Sequence, residues 1–172
     1  MCQGKGEGEG SDQEGRRTAS KPGERLYFDI AGPYSTSLGG STYWMMAVDD
    51  QSRYKYSGFM NKKSDIGDFA ENIFKKVQAA EHMIKYVHCD NAGEKIRHLQ
   101  DACEKETGIT MEYTAPYTPE QNGVVERAFT NVRNMGYAMM LDARFSLEAQ
   151  GQLWTEAMNA ATNLSTISAT ST

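Results

Sequence analysis

"IKYVHCDN", residues 84–91, is a mainly apolar run that ends in an acid and an amide, and the fold turns on whether it is a buried strand. Its length suits a strand and falls short of an ordinary helix. Upstream, Ile66, Phe69, Ile73, Val77 and Ala80 recur at helical spacing behind Ser64, a candidate N-cap. A strand entered from a helix in this way is expected to be buried and parallel to an earlier strand.

The earlier strand is "RLYFDIAG", residues 25–32, an alternating aromatic and apolar run closed by the turn at Gly32-Pro33. "TYWMMAVDD" (42–50) and "RYKYSGFM" (53–60) follow, joined by the short polar link Gln51-Ser52, and a three-stranded antiparallel meander is the simplest arrangement. Downstream of residue 91, Ile96, Leu99 and Cys103 mark a helix stopped by Gly108, and "ITMEYT" (109–114) reads as a final strand. A long helix carries Val125, Phe129, Val132 and Met139 on one stripe. Ser146 then caps a last helix that turns Leu147, Trp154, Ala157, Ala161 and Leu164 inward. The order β-β-β-α-β-α-β-α-α is that of an α/β fold: a five-stranded mixed sheet, three antiparallel strands and then alternating helices and strands, flanked by helices.

A chain of 172 residues has room for one domain. Residues 1–24 hold six glycines and only Met1, Cys2 and Ala19 from the apolar set, too little to offset the entropy of ordering, so a disordered tail is expected there. The core is expected over 25–165 and a short tail over 166–172. Hydrophobic residues at 39% and charged residues at 24% are those of a water-soluble globule. The longest apolar run, 43–48, is far shorter than the roughly 20 residues of a membrane span. No secretory signal pattern opens the chain, so an intracellular protein without membrane partners is expected. Cys2, Cys89 and Cys103 are odd in number and widely spaced, which argues for reduced thiols. A net charge of −5 argues against a large non-specific nucleic-acid surface, so any such role is expected to be local or supplied partly by further segments.

Three carboxylates occupy unusual places: Asp29 inside the first strand, Asp90 at the end of the fourth, and Glu126 near the start of the long helix. Singly, each has an ordinary use, since a strand-end Asp caps a turn and a helix-start Glu complements the dipole. If the first and fourth strands are parallel neighbours, however, Asp29 and Asp90 share the crevice where open sheets bind ligands, and Glu126 need only pack there to complete a site. Carboxylates gathered without a basic partner repel unless cations neutralise them. Their hard oxygens favour Mg²⁺ or Mn²⁺, and two such ions support in-line attack on a phosphodiester. Asp49 and Asp50 compete for this role, but they end a strand running back along the first, an expected five or six residues or roughly 15–20 Å from Asp29. A turn-stabilising role is assigned to them. His82, His88, Cys89 and His98 have no recognised zinc-ligand spacing, and no Ser-His-Asp or Cys-His motif is present.

"FDIAGP" with Asp29, "HCDNAGE" with Asp90 and "PYTPEQNGVVER" with Glu126 resemble the three acidic motifs of retroviral and, more closely, Copia-type retrotransposon integrase catalytic cores, members of the DDE polynucleotidyl transferases. Residues 91–125, 35 in all, separate the second and third acids, the spacing typical of that group. "VDDQSRY" and "LWTEAMNAATNL" are similar to further stretches, and the resemblance covers roughly residues 24–164.

The resemblance implies a ribonuclease H-like fold and an enzyme that trims DNA 3′ ends and joins them to a target strand, using two Mg²⁺ or Mn²⁺ ions on Asp29, Asp90 and Glu126. It implies DNA partners, a homodimer or higher oligomer, no small-molecule cofactor, and action in the nucleus, or otherwise the cytoplasm. Within "APYTPEQNGVVERA" (115–128) the prolines and Gly123 hold off the helix, Tyr117 is suited to stacking on an unpaired base, Gln121 and Asn122 to bonding bases or phosphate, and Arg127 to the DNA backbone.

Departures from the family pattern are Ala92 for a usual Gly, Lys95 for a common aromatic, and Glu120 for a common Gln. Cys2 in "MCQGKG" is similar to the last ligand of the family's zinc-binding N-terminal domain, which makes a polyprotein fragment or a decayed element an expectation. Two other readings compete: an inactive relic or fragment serving as a nucleic-acid- or protein-binding module, and a ribonuclease H-type nuclease.

Overall fold

The structure, a computed structural model, describes residues 19–90, 94–113 and 123–169. Strands β1 (Arg25–Ala31), β2 (Tyr43–Asp49), β3 (Lys55–Met60), β4 (Tyr86–Cys89) and β5 (Thr110–Tyr113) form one sheet in the order β3-β2-β1-β4-β5. β1–β2 and β2–β3 are antiparallel, while β1–β4 and β4–β5 are parallel. Helices α1 (Ile66–Ala79), α2 (Glu94–Lys105), α3 (Gly123–Asp142), α4 (Leu147–Gln152) and α5 (Trp154–Ala169) complete it. This mixed α/β sheet is the ribonuclease H-like arrangement expected, and β4 is the buried parallel strand on which that expectation turned.

Because side chains alternate across a strand, β1 is a wall shared by two cores. Leu26, Phe28 and Ile30 pack with Ile66, Ile73, Phe74 and Val77 of α1 and Leu99, Ala102 and Cys103 of α2. Tyr27 packs on the opposite face with Trp44, Met46 and Val48 of β2, Val125, Phe129 and Val132 of α3, and Trp154, Met158 and Ala161 of α5. Each fully buried large side chain contributes about 1.5–3 kcal/mol, so both layers are strongly held. No helix among the described residues is long and apolar enough to cross a membrane.

Four local expectations change. Ser64 does not cap α1, because a 3₁₀ turn over Lys63–Asp65 precedes the helix. Ser146 does cap, its side chain accepting from Ala149 N, but the expected last helix is two. Around their junction, the Gly151 and Gln152 carbonyls accept from Ser35 Oγ and Leu38 N at 2.9 and 2.8 Å. Leu147 and Leu164, expected inside, are exposed. The described residues also reach past the expected core at both ends: Ala19 is buried with its N–H donating to Asp50 Oδ2 at 2.8 Å, and α5 continues to Ala169.

Candidate functional site

β1 and β4 run side by side with Phe28 opposite Cys89. Asp29 and Asp90 each lie one residue further on. Tyr27 and His88, two residues before them, face each other with ring centroids 5.2 Å apart, so alternation puts Asp29 on the face covered by α3, and Asp90 follows directly on the end of β4. Asp29 is half-buried, and its Oδ1 accepts from Ile30 N at 2.8 Å. Asp90 is exposed. The Cys89 thiol beside them is pushed up to about 12, by burial first and then by the negative charges of Asp90 and Asp29.

Glu126 lies in the first turn of α3, exposed, beside the buried Val125 that seats this helix on the sheet. The three acids are thus two on neighbouring strand ends and one on the helix over the same face. Their all-oxygen donors fit a hard divalent cation in kind. Yet among the described residues no group of three or more His, Cys, Asp or Glu stands close enough together to hold a metal ion. Arg127 is exposed next to Glu126, whereas Tyr117, Gln121 and Asn122 lie outside the described residues.

The competing acids are structural. Asp49 accepts from Gly23 N at 2.8 Å, from Ser52 N at 2.7 Å and from the Ser52 hydroxyl. Asp50 faces Arg25 at 3.8 Å and Arg53 at 3.5 Å. Their separation from the site is smaller than expected, because Leu26 pairs with Asp49 and Asp29 with Met46, a three-residue offset of about 10 Å. What commits them to a structural role is this set of partners. His88 is buried with Nδ1 3.8 Å from Glu112 Oε2, and Arg25 grips Glu112 through Nε and Nη2 at 3.0 and 2.9 Å. This clamp ties β1, β4 and β5 together below the acids.

Two residues near Asp29 escaped the sequence reading. The Tyr34 hydroxyl is raised above its ordinary value by burial, against the lowering charge of Arg133, with smaller raising contributions from Tyr137 and Asp29. Arg133 follows Glu126 by seven residues, two helical turns along one stripe, and that spacing was the available signal.

No family model matches the chain. It is 30% identical over 128 residues, 73% of its length, to the retrovirus-related Pol polyprotein from transposon RE2 of Arabidopsis thaliana. It is 31% identical over 105 residues, 59% of its length, to that from transposon TNT 1-94 of Nicotiana tabacum. The matched parts are 9% and 8% of those polyproteins, so the chain spans less than a tenth of these relatives. Among solved structures it is similar to a chain of the simian T-cell lymphotropic virus intasome in complex with PP2A regulatory subunit B56 gamma, with a TM-score of 0.62 and 17% identity over 85% of this chain and 49% of that one. It is also similar to the catalytic core domain of BIV integrase, with a TM-score of 0.52 and 19% identity over 81% of each chain. These two likenesses establish the fold.

Proposed function

We propose that this chain, which belongs to the integrase catalytic cores of the DDE superfamily, is the catalytic core of a Copia-type retrotransposon integrase and carries out metal-dependent DNA 3′-end processing and strand transfer. The observation that carries this reading is the parallel pairing of β1 with β4, with Asp29 and Asp90 each one residue beyond the Phe28–Cys89 pair and Glu126 in the first turn of α3. Asp29 and Asp90 form the fixed half of the ligand set, and Glu126 closes onto them from the first turn of α3. When bound there, a pair of Mg²⁺ or Mn²⁺ ions would supply Lewis-acid stabilisation of the phosphate and activation of the attacking oxygen.

The chain's own residues hold and orient the strand. Arg127, exposed beside Glu126, takes a backbone phosphate. Tyr117, Gln121 and Asn122 engage the unpaired end, and Asp29 and Asp90 fix where the scissile phosphate must sit. In trimming, water attacks phosphorus as the P–O bond to the 3′ oxygen breaks and the departing oxygen takes up a proton. In joining, a DNA 3′ hydroxyl attacks a target-strand phosphorus as its P–O bond to the target's 3′ oxygen breaks and that oxygen takes up a proton, so no covalent enzyme intermediate is needed. DNA, a second copy of the chain and a nuclear site of action belong to the same proposal.

The test is Mn²⁺-dependent nicking and disintegration of a branched DNA by the full chain, with Asp90→Asn and Glu126→Gln alongside and the unfolding midpoints as controls. Wild-type activity that falls to background in both folded variants is expected. Equal cleavage by either variant, or none by the wild type, would refute the reading.

A further inference from the structure

On the α1–α2 face of the sheet, away from Tyr27 and Asp29, three sulfurs gather beside the outer strand. Cys89 ends β4 and Cys103 lies on α2; both are free thiols, 6% and 2% exposed. Met111 of β5 packs against the same core, and the Cys103 thiol donates to its Sδ at 3.3 Å. In the β4–β5 register Met111 pairs with Val87 and Tyr113 with Cys89. Alternation therefore makes Met111 and Cys89 diagonal neighbours on one face of adjacent strands.

The two thiols also feel each other. The Cys103 thiol is pushed up to about 12, by burial first and then by Cys89. Tyr113 is 39% exposed, and its hydroxyl is raised by burial first and then by Cys89 and Cys103, which places it at the rim of the cluster. Because β5 is the outer strand and Met111 is only half-buried, the sulfurs can be reached from the edge of the sheet.

A buried cysteine by itself packs as a small apolar side chain. Two thiols and a thioether together are a soft donor set, which selects Cu(I) and disfavours hard cations such as Mg²⁺. Zinc would need a fourth ligand, since its structural sites are tetrahedral. Among the described residues no group of three or more His, Cys, Asp or Glu stands together to complete one. Cu(I) is satisfied by three soft ligands.

We propose that Cys89, Cys103 and Met111 form a site for one Cu(I) ion. Both cysteines bind as thiolates, each thiol proton passing to solvent, and Met111 Sδ, released from the Cys103 S–H, becomes the third ligand. The ion stays Cu(I) throughout, so no oxidant or reductant is consumed. The site differs in donor chemistry and in sheet face from Asp29, Asp90 and Glu126, and it does not depend on the nucleic-acid reading. Filled, it ties α2 to β5 and to the last residue of β4, directly before Asp90.

The full chain, reduced and kept free of oxygen, is titrated against the coloured Cu(I)–bicinchoninate complex, which bleaches as the protein takes the ion. The wild type should take one equivalent, and X-ray absorption at the copper edge should count three sulfur neighbours. Cys89→Ala and Cys103→Ala should each take none. Met111→Leu conserves volume and so keeps the fold. It should bind more than about tenfold more weakly, since even the outer partners of a metal site cost that much, and should show two sulfur neighbours. Cys2→Ala should match the wild type.

No uptake by the wild type would overturn the proposal. So would uptake that disappears in Cys2→Ala, which would mark a thiol outside the cluster. Wild-type affinity and three sulfurs in Met111→Leu would do the same. Urea midpoints taken without metal report whether each cysteine variant is folded, and where one is not, Met111→Leu decides.

Discussion

A buried carboxylate needs donors, and the acids of this chain differ in where theirs come from. Asp49 and Asp50 spend their oxygens on turn amides, a serine hydroxyl and two arginines. Glu24 is the clearest structural case outside the site. Its Oε1 accepts from Lys85 Nζ at 2.8 Å, and its Oε2 accepts from Ser20 N and Oγ at 2.7 and 2.8 Å. The Lys85 ammonium first, then Ser20, holds the Glu24 carboxyl down from 4.5 to about 2. A carboxyl depressed by folding contributes stability that is present above its unfolded value and is lost as pH falls through its folded one. Glu24→Gln should therefore be less stable than wild type at pH 7. The gap should shrink between pH 4.5 and about 2 and close below that, as read from urea midpoints at each pH. A gap independent of pH would mean that the Glu24 charge does not tie the N-terminal segment to β4's approach.

At the scale of elements, contacts between layers leave little slack. A Cβ on Gly58 in β3 would stand 1.8 Å from Phe69 Cε2 and 2.1 Å from its Cζ, so the Phe69 ring lies directly against the strand backbone. Gly58→Ala should displace that ring and destabilise the fold by about 1–3 kcal/mol, the usual cost of overpacking, measured by urea unfolding. A loss under 0.5 kcal/mol would mean that α1 rides loosely on the sheet. Periodicity foretold the elements because it is a direct record of which face is buried: the alternation in "RLYFDIAG" and the helical spacing of Ile66, Ile73 and Val77 appear intact in the two cores. Details set by tertiary partners were not legible. Ser64 has the chemistry of a cap, yet a 3₁₀ turn takes its place in the chain. The α4–α5 break coincides with hydrogen bonds to Ser35 and Leu38, more than a hundred residues away in sequence. Leu147 follows the apolar pattern but belongs to the short α4, at 86% exposure. The site divides the same way. Asp29 and Asp90 could be located from strand order alone, while Arg133 and Tyr34 needed the α3–α5 layer to be folded over β1.

For the molecule as a whole, the two cores do different work around one strand. The α1–α2 side is closed by apolar side chains of β1, and the α3–α5 side meets Tyr27 and then Asp29 on the same strand. Packing of Val125, Phe129 and Val132 thus fixes how α3, with Glu126 in its first turn, lies on that face of the sheet. In the proposed site the three carboxylates of a chain at −5 would repel one another, and that repulsion would oppose folding until a cation offset it. Two opposite effects of a single substitution follow. Without metal, Asp90→Asn removes a charge and should unfold at the same temperature as the wild type or slightly above it. With Mn²⁺, the wild type should gain stability as its site fills, by about 2.7 kcal/mol at a hundred times the dissociation constant, and Asp90→Asn should gain much less. Thermal unfolding with and without Mn²⁺, with EDTA to reverse the gain, checks both signs. Equal Mn²⁺ gains in the two proteins would place metal binding elsewhere and remove Asp90 from the ligand set, whatever the cleavage assay returned.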